Sequence, residues 1–469
     1  MKRKDAPTET KSMAKKPRPE VPEYHLTPSL KDEDGGIVWP APKAQMQRAR
    51  DLILECAAAG EKTLIVPDKD ADGLTSGVIL YHTLNVLGLP LSLLSVHLLK
   101  KGNNIHTEEE RYAMQAQDPS YIFVLDQGSR KAGPVIDRLH KALIIDHHHA
   151  TPDSFPAGAE HVTACDSPPV ATSSLLTYTL CEPLHESVGE RCSWLCIVGT
   201  HGDLGNTLKW EPPFPDMRPT FKVYTKKLLN DVVSLVNAPR RTATYDVSSA
   251  WSALLSAAVA SDPASVLKDK RLLAARQEVN AEVERCTHTA PKFSPDGKIA
   301  VFTIHSEAQV HPVIATRWSG HLNSKALEIV CVANTGYLPG KVNFSCRVPR
   351  CARNREPPVD IIQSLRSYAS LKSEVVDGDG HQSVNRPSLL ERLGDDFARG
   401  HVQASGGIVN ADEFDELLKL MRIGEKSEKK RDDEAVPKKR NKGALDAGQT
   451  NTLTKYFGRS SVTKEGAAA

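Results

Sequence analysis

The chain has 469 residues, 40% hydrophobic and 25% charged, with a formal net charge of +2. That length gives room for two or three domains and a substantial core, while the near balance of charge singles out no partner by bulk electrostatics. Nine cysteines, an odd number without a CxxC pair, argue against a disulfide framework or a thiolate zinc site and fit reduced thiols inside a cell.

Residues 1–40 are rich in Lys, Pro, Glu and Thr and read as a disordered basic tail. Lys2-Arg3-Lys4 and Lys15-Lys16-Pro17-Arg18 are spaced like a bipartite nuclear import signal, and equally like a solvating tail. The start has no apolar stretch suited to a secretory signal and fits a mitochondrial presequence poorly. Ala41 to Ala59 reads as a helix leading into a short apolar strand, Thr63 to Pro67.

Asp68, Asp70 and Asp72 follow that strand at once, and a helical pattern begins near Leu74. Carboxylates at alternate positions repel one another unless a cation lies between them, and a hard divalent ion is the usual one. An EF-hand loop opens the same way but needs a preceding helix and a Glu at its twelfth position. Here a strand precedes, and the twelfth residue is Ile79. The stretch Gly73 to Leu99 is apolar enough to suggest a membrane span. It is broken by Gly88-Leu89-Pro90, so a buried helix followed by a strand, Leu91 to Leu98, is expected instead.

A helix over Glu108 to Gln117 and a strand over Tyr121 to Leu125, ending in Asp126-Gln127-Gly128, come next. A helix near Val135 to Lys141 then leads into Ala142 to Ile145, ending in Asp146-His147-His148-His149. Alternating β and α segments with continuous apolar strands predict an α/β fold with a parallel sheet flanked by helices. Ligands of such sheets bind outside the carboxyl ends of the strands. Three strands end at Asp68, Asp126 and Asp146, so these side chains are expected on one edge, although a lone strand-end Asp often serves only as a helix cap. An apolar helix, Cys192 to Val198, runs into Gly202-Asp203-Leu204-Gly205, which reads as a turn at that site or merely a helix-capping turn.

The stretch 41–260 is expected to form the first domain and 261–291 a helical linker. A smaller α/β domain follows over 292–422, with strands Ile299 to Ile304, Ala326 to Ala333 and Val342 to Val348, the last carrying Arg347. Helices are expected over Val313 to Leu322, Val359 to Leu371, Ser388 to Arg399 and Ala411 to Met421. Residues 423–469 read as a second disordered basic tail, with Lys429-Lys430-Arg431 and Lys438-Lys439-Arg440 forming another bipartite pattern.

An Asp/His donor set without thiolate suits Mn²⁺ or Mg²⁺, and carboxylates able to bridge suggest two ions. The residues alone thus point to a metal-dependent phosphoester hydrolase. The motifs Asp68-x-Asp70-x-Asp72-Gly73, Asp126-Gln127-Gly128, Asp146-His147-His148 and Gly202-Asp203-Leu204-Gly205 resemble, in order and context, those of the DHH phosphoesterase family. His311-Pro312 to Arg317 and Gly400-His401-x-x-Ala404-Ser405-Gly406 are similar to motifs of the DHHA1 domain of its RecJ-like branch.

The resemblance implies that Asp68 and Asp70 hold a first metal and that Asp126 bridges. Asp72, His147 and Asp203 would hold a second. It implies that Asp146 orients the histidines and that His148 contacts the scissile phosphate or acts as an acid. Arg347, Gly400 and His401 would bind phosphate or a nucleotide end, although His401 is also at home as a locally bonded loop histidine. Arg399 stands where the family usually has a glycine. The implied activity is a Mn²⁺- or Mg²⁺-dependent exonuclease on single-stranded DNA or RNA, 5′→3′ and nuclear. The alternatives are a hydrolase of short oligonucleotides, small phosphoesters or polyphosphate, and an inactive scaffold like the family's relative in the eukaryotic replicative helicase. No membrane partner is expected. Finally, Thr450-Asn-Thr-Leu453-Thr-Lys-Tyr456-Phe457 resembles a PCNA-interacting box. Leu453, Tyr456 and Phe457 would share one face of a helical turn and plug an apolar pocket on the sliding clamp.

Overall fold

The computed structural model describes residues 27–371, 387–394, 397–401 and 403–425, and these belong to one compact unit. The basic clusters of both tails, and with them Leu453, Tyr456 and Phe457, lie outside the described residues. Residues 27–40, expected to belong to the disordered N-terminal tail, are instead described, with Lys31 bridged to Ile37 and the Trp39 indole donating to Pro169 O at 2.8 Å. The first half runs α1 (Lys43–Ala59), β1 (Thr63–Pro67), α2 (Ala71–Val86), β2 (Leu94–Val96), α3 (Glu108–Ala116), β3 (Tyr121–Leu125), β4 (Lys141–Asp146) and β5 (Glu160–Thr163). It continues through α4 (Ser173–Cys181), α5 (Glu186–Leu204), α6 (Arg218–Val223), α7 (Lys226–Val236) and α8 (Val247–Ala260).

The five strands form one sheet in the order β2-β1-β3-β4-β5, every pair parallel. Side chains alternate across it. Ile65, Phe123, Leu143 and Ile145 face the large core that the helices cover, while Leu64, Val66, Ile122, Val124 and Ile144 pack under α3 on the other side. Burial on both faces is why these strands read as continuous apolar runs. Each buried Leu, Ile, Val or Phe contributes about 1.5–3 kcal/mol, which makes the sheet a stiff base for the loops at its carboxyl edge.

A helix α9 (Lys270–Thr287) leads to the second half: β6 (Lys292–Phe293), β7 (Ile299–Ile304), α10 (His311–His321), β8 (Ile329–Asn334), β9 (Lys341–Arg347), α11 (Ile361–Ala369), α12 (Leu389–Leu393), β10 (Arg399–His401), β11 (Ala404–Asn410) and α13 (Ala411–Leu420). Its six-stranded sheet, β10-β11-β9-β8-β7-β6, is mixed, with only β7 and β8 parallel. The halves touch beside the first sheet's edge. Lys101 Nζ donates to the carbonyls of Glu307 (2.8 Å) and Ala243 (3.3 Å) and lies 4.3 Å from the centre of the Tyr337 ring. Arg240 Nη1 donates to Gln309 Oε1 at 3.3 Å.

Four further expectations are corrected. Val135 to Lys141 is irregular, not helical. The carbonyls of Pro134 and Val135 accept from Arg111, and the Asp137 amide donates to Gln115, so α3 takes up groups that a helix would pair internally. The strand after the Gly-Pro break is only Leu94–Val96, preceded by a 3₁₀ turn at Leu91–Leu93. The helix after Ser388 is a single short one that ends at Gly394. Gly202 to Leu204 is not a turn at the site but the end of α5, which Gly205 caps with φ at +78°, as the helix-capping reading has it. A Cβ at Gly199 would lie 2.2 Å from Ser174 Oγ and 2.3 Å from Thr75 Oγ1, so the missing side chain lets α5 press against α2 and α4 and carry Asp203 to the sheet edge. Among the described residues, no helix is long and apolar enough to cross a membrane.

Candidate metal centre

Every acidic residue at the carboxyl edge is placed by a separate local device. The Asp68 amide extends the sheet by donating to Leu125 O (2.9 Å), which fixes the start of the loop after β1. Asp70 caps α2, its Oδ1 accepting from the amides of Asp72 (3.1 Å) and Gly73 (3.3 Å). Asp72, on the first turn of α2, is buried. Its two oxygens accept the amides of Ser173 (2.8 Å) and Ser174 (2.9 Å), so the positive end of α4 holds that carboxylate.

Asp126 follows β3 with φ at +63°, the left-handed region that costs a non-glycine residue about 1–3 kcal/mol. Its amide donates to Ile145 O (2.9 Å), and its Oδ1 accepts from Ser173 Oγ (2.9 Å). Burial in the sheets outweighs that strain, and the strained turn aims the carboxylate at the loop after β1.

After β4, Asp146 Oδ1 accepts the amides of His147 (2.8 Å) and His148 (3.2 Å) and also meets His148 Nδ1 at 2.8 Å, while Oδ2 accepts the Ser129 amide (3.3 Å). Burial resists ionisation of Asp146. The hydrogen bond from His148 and the nearby imidazoles outweigh that and hold its pKa down to about 2. Asp146 thus orients the loop and both rings.

His147 projects into the cluster. Its Nε2 lies 3.3 Å from Asp126, 3.4 Å from Asp203 and 3.8 Å from Asp72. Burial alone would lower the His147 pKa, but the surrounding carboxylates, with Asp126 foremost, lift it well above the ordinary value. Burial, followed by repulsion from Asp72, pushes Asp126 well above the usual carboxylate range. Asp72 is raised chiefly by burial.

Three overlapping donor groups result: Asp68/Asp70/Asp126, Asp72/His147/Asp203 and Asp126/His147/His148, with the donor atoms of each group within 4.8 Å of one another. Five carboxylates and two imidazoles without thiolate fit hard divalent ions such as Mn²⁺ or Mg²⁺. All six metal positions expected from sequence therefore come together, with Asp146 behind them and His148 beside them.

Arg347 lies elsewhere. It ends β9 half-buried, with Nη1 donating to Ser345 Oγ (2.9 Å) and Cys346 O (2.8 Å), and among the described residues none of its bonds reaches the cluster. Strand register sets His401 opposite Ala404, and Ala404 opposite Arg347. The side chains at Gly400 and His401 lie outside the described set.

Sequence reasoning missed three contributors. Lys69 Nζ sits 2.9 Å from Asp68, Arg240 Nη2 sits 3.6 Å from Asp70, and Ser173 supports both Asp72 and Asp126. Only Lys69, lodged between two aspartates, had a visible signal. His201, two residues from Asp203, is a structural residue. Its Nε2 accepts from Trp210 Nε1 (3.3 Å), which leaves Nδ1–H to donate to Asn230 Oδ1 (2.9 Å).

The comparisons with known proteins fit a parallel α/β sheet with this acidic edge. Residues 62–200 match the model of the DHH family, N-terminal domain, so the first half carries a DHH domain. The structure is similar to RecJ in complex with Mn²⁺ from Thermus thermophilus, with 18% identity, a TM-score of 0.54, and coverage of 82% of this chain and 55% of that one. This chain thus spans about half the length of that RecJ. A second similar structure, exonuclease RecJ bound to manganese, shares 19% identity with a TM-score of 0.51, over 82% of this chain and 94% of that one. The DHH domain of a member of the s1p family of ribosomal proteins shares 14% identity with a TM-score of 0.57, over 81% and 90%. At these identities the likeness establishes the fold. No curated protein matches the sequence.

Burial holds the His201 pKa down to about 4, against 6.5 for an unperturbed histidine. The unfolded chain therefore binds the extra proton first as pH falls, so the stability from a neutral His201 is complete above pH 6.5 and is lost toward pH 4. The full loss is on the order of 3 kcal/mol. Urea denaturation across that range should show this decline, flattened in His201→Gln. An equally steep decline in the variant would remove His201 as its cause.

Proposed function

We propose that this chain is a divalent-metal-dependent phosphodiesterase that trims single-stranded nucleic acid as a 5′→3′ exonuclease, acting in the nucleus in DNA replication or repair. The observation that carries the reading is the convergence of six acidic and imidazole donors at one sheet edge. The direction rests on the resemblance to RecJ-like enzymes.

In this reading Asp68, Asp70 and Asp126 hold one ion, and Asp72, His147 and Asp203 a second. Asp126 would bridge them, since it also belongs to the donor group that contains His147. Two bound Mn²⁺ or Mg²⁺ ions would supply charge stabilisation at phosphorus and lower the pKa of a water. The chain's own groups do the rest.

Asp146 engages His148 Nδ1, which leaves Nε2 to face a substrate. Burial works against the charged His148 ring, but the Asp146 hydrogen bond and the Asp126 charge lift its pKa to about 9. At neutral pH, Nε2–H therefore donates to a phosphate oxygen or the leaving group. Arg347, Gly400 and His401 in the second half would take a terminal phosphate or nucleotide. The filled ligand set weighs against the scaffold reading.

With 5′- and 3′-labelled single-stranded DNA and RNA oligomers of several lengths and Mn²⁺, mononucleotides should be released from the 5′ end. Asp70→Ala/Asp72→Ala should abolish release, and Asp146→Asn should slow it about 10–100-fold, as loss of an outer-shell partner does. Release from the 3′ end would overturn the polarity. Cleavage of only the shortest oligomers would move the reading to small phosphoesters.

For the tails, we propose nuclear import through the basic clusters and clamp binding through Leu453, Tyr456 and Phe457. A fluorescent fusion should concentrate in the nucleus, and a peptide spanning residues 445–462 should bind the clamp, with binding lost in Tyr456→Ala/Phe457→Ala. A diffuse fusion, or equal binding by the double variant, would refute the respective proposal.

A further inference from the structure

A polar cavity whose lining includes none of the residues of the acidic cluster lies where α7, α9 and α10 meet. Its volume is about 290 Å³, near the lower end of small-molecule sites (about 300–1,000 Å³). Arg241, Arg276 and Arg317 line it, one from each wall: the turn after α7, the linker helix α9, and α10 of the second half. Ser234 and Asn280 add neutral polar groups, and Glu284 is its one carboxylate.

The charge in this cavity is unbalanced. Glu284 is already shared, lying 3.6 Å from Arg317 and 3.1 Å from His288. Arg241 and Arg276 are both half-buried, and among the described residues neither makes an ion pair. The turn that carries Arg241 divides its two arginines. Arg240 faces Asp70 of the metal centre, while Arg241 faces the cavity. Burial, then repulsion from Arg240, holds the Arg241 pKa down to about 9, and the charge of Asp70 offsets this only in part. Three guanidiniums against one shared carboxylate leave an excess of about two positive charges. That matches a phosphate dianion better than a monocarboxylate, and guanidinium forks suit phosphate oxygens. The small volume excludes a polymer.

We propose that this cavity binds a phosphate-bearing small molecule no larger than a mononucleotide, held by Arg241, Arg276 and Arg317 and separate from the metal centre. Because its walls come from both halves and the helix between them, an occupant ties the halves together at the linker.

The test is calorimetric titration of the full chain in EDTA, where the acidic edge repels anions, with inorganic phosphate and a nucleoside monophosphate as probes. Saturable binding at one site is expected, weakened about 10–100-fold by Arg276→Gln and by Arg317→Gln, less by Arg276→Lys, and unchanged by Asp126→Asn. Unaltered thermal melting of the arginine variants separates lost binding from lost folding. Tighter binding of the nucleotide identifies a nucleotide ligand, and equal binding identifies phosphate itself. Absence of saturable binding, affinity indifferent to both Gln substitutions, or acetate binding as tightly as phosphate would overturn the proposal.

Discussion

Mutual repulsion of carboxylates brought together out of water is the constraint on which the rest of this structure depends. Asp72 and Asp126 are buried, His147 is wedged between them, and Asp68, Asp70 and Asp203 close the ring. Such a cluster would disperse on a pliable scaffold. It persists because the apolar sheet beneath it is packed on both faces, and because the buried carboxylates are pinned by neighbours that cannot move away.

The pinning is largely done by backbone. The first amides of α4 hold Asp72, the amides of the β4 loop hold Asp146, and a left-handed turn fixes Asp126. Lysine and arginine enter only at the rim, Lys69 beside Asp68 and Arg240 beside Asp70, and at the centre only the imidazoles carry positive charge. Negative charge therefore remains in excess at the centre, where a divalent ion can outcompete a protein cation. The division of labour between an oriented, hydrogen-bonded Asp146 and the projecting His147 and His148 follows from the same loop.

Much of this was legible in the sequence. Strands buried on both faces appear as uninterrupted apolar runs, and an acidic residue at the end of each marks the edge where they stop. Hence Asp68, Asp126 and Asp146 could be placed together before any coordinates. What stayed hidden was support without a side-chain signature. An amide of Ser173 looks like any other amide, and Arg240 lies in a short turn that no motif marks. Val135 to Lys141 was misread because its apolar pair, Val135 and Ile136, is buried by α3 without forming a helix of its own. Gly202 suggested a turn, whereas its lack of a side chain, like that of Gly199, serves close helix packing.

The most direct test of the account is Mn²⁺ titration of the metal-free chain, with thermal melting of the wild type and Asp126→Asn measured alongside. Relief of repulsion by cations predicts tight Mn²⁺ binding and a higher melting temperature when it is bound. It also predicts that metal-free Asp126→Asn melts no lower than the metal-free wild type while its Mn²⁺ affinity falls at least about tenfold. A variant that binds Mn²⁺ as tightly as the wild type, or a wild type that Mn²⁺ does not stabilise, would contradict it.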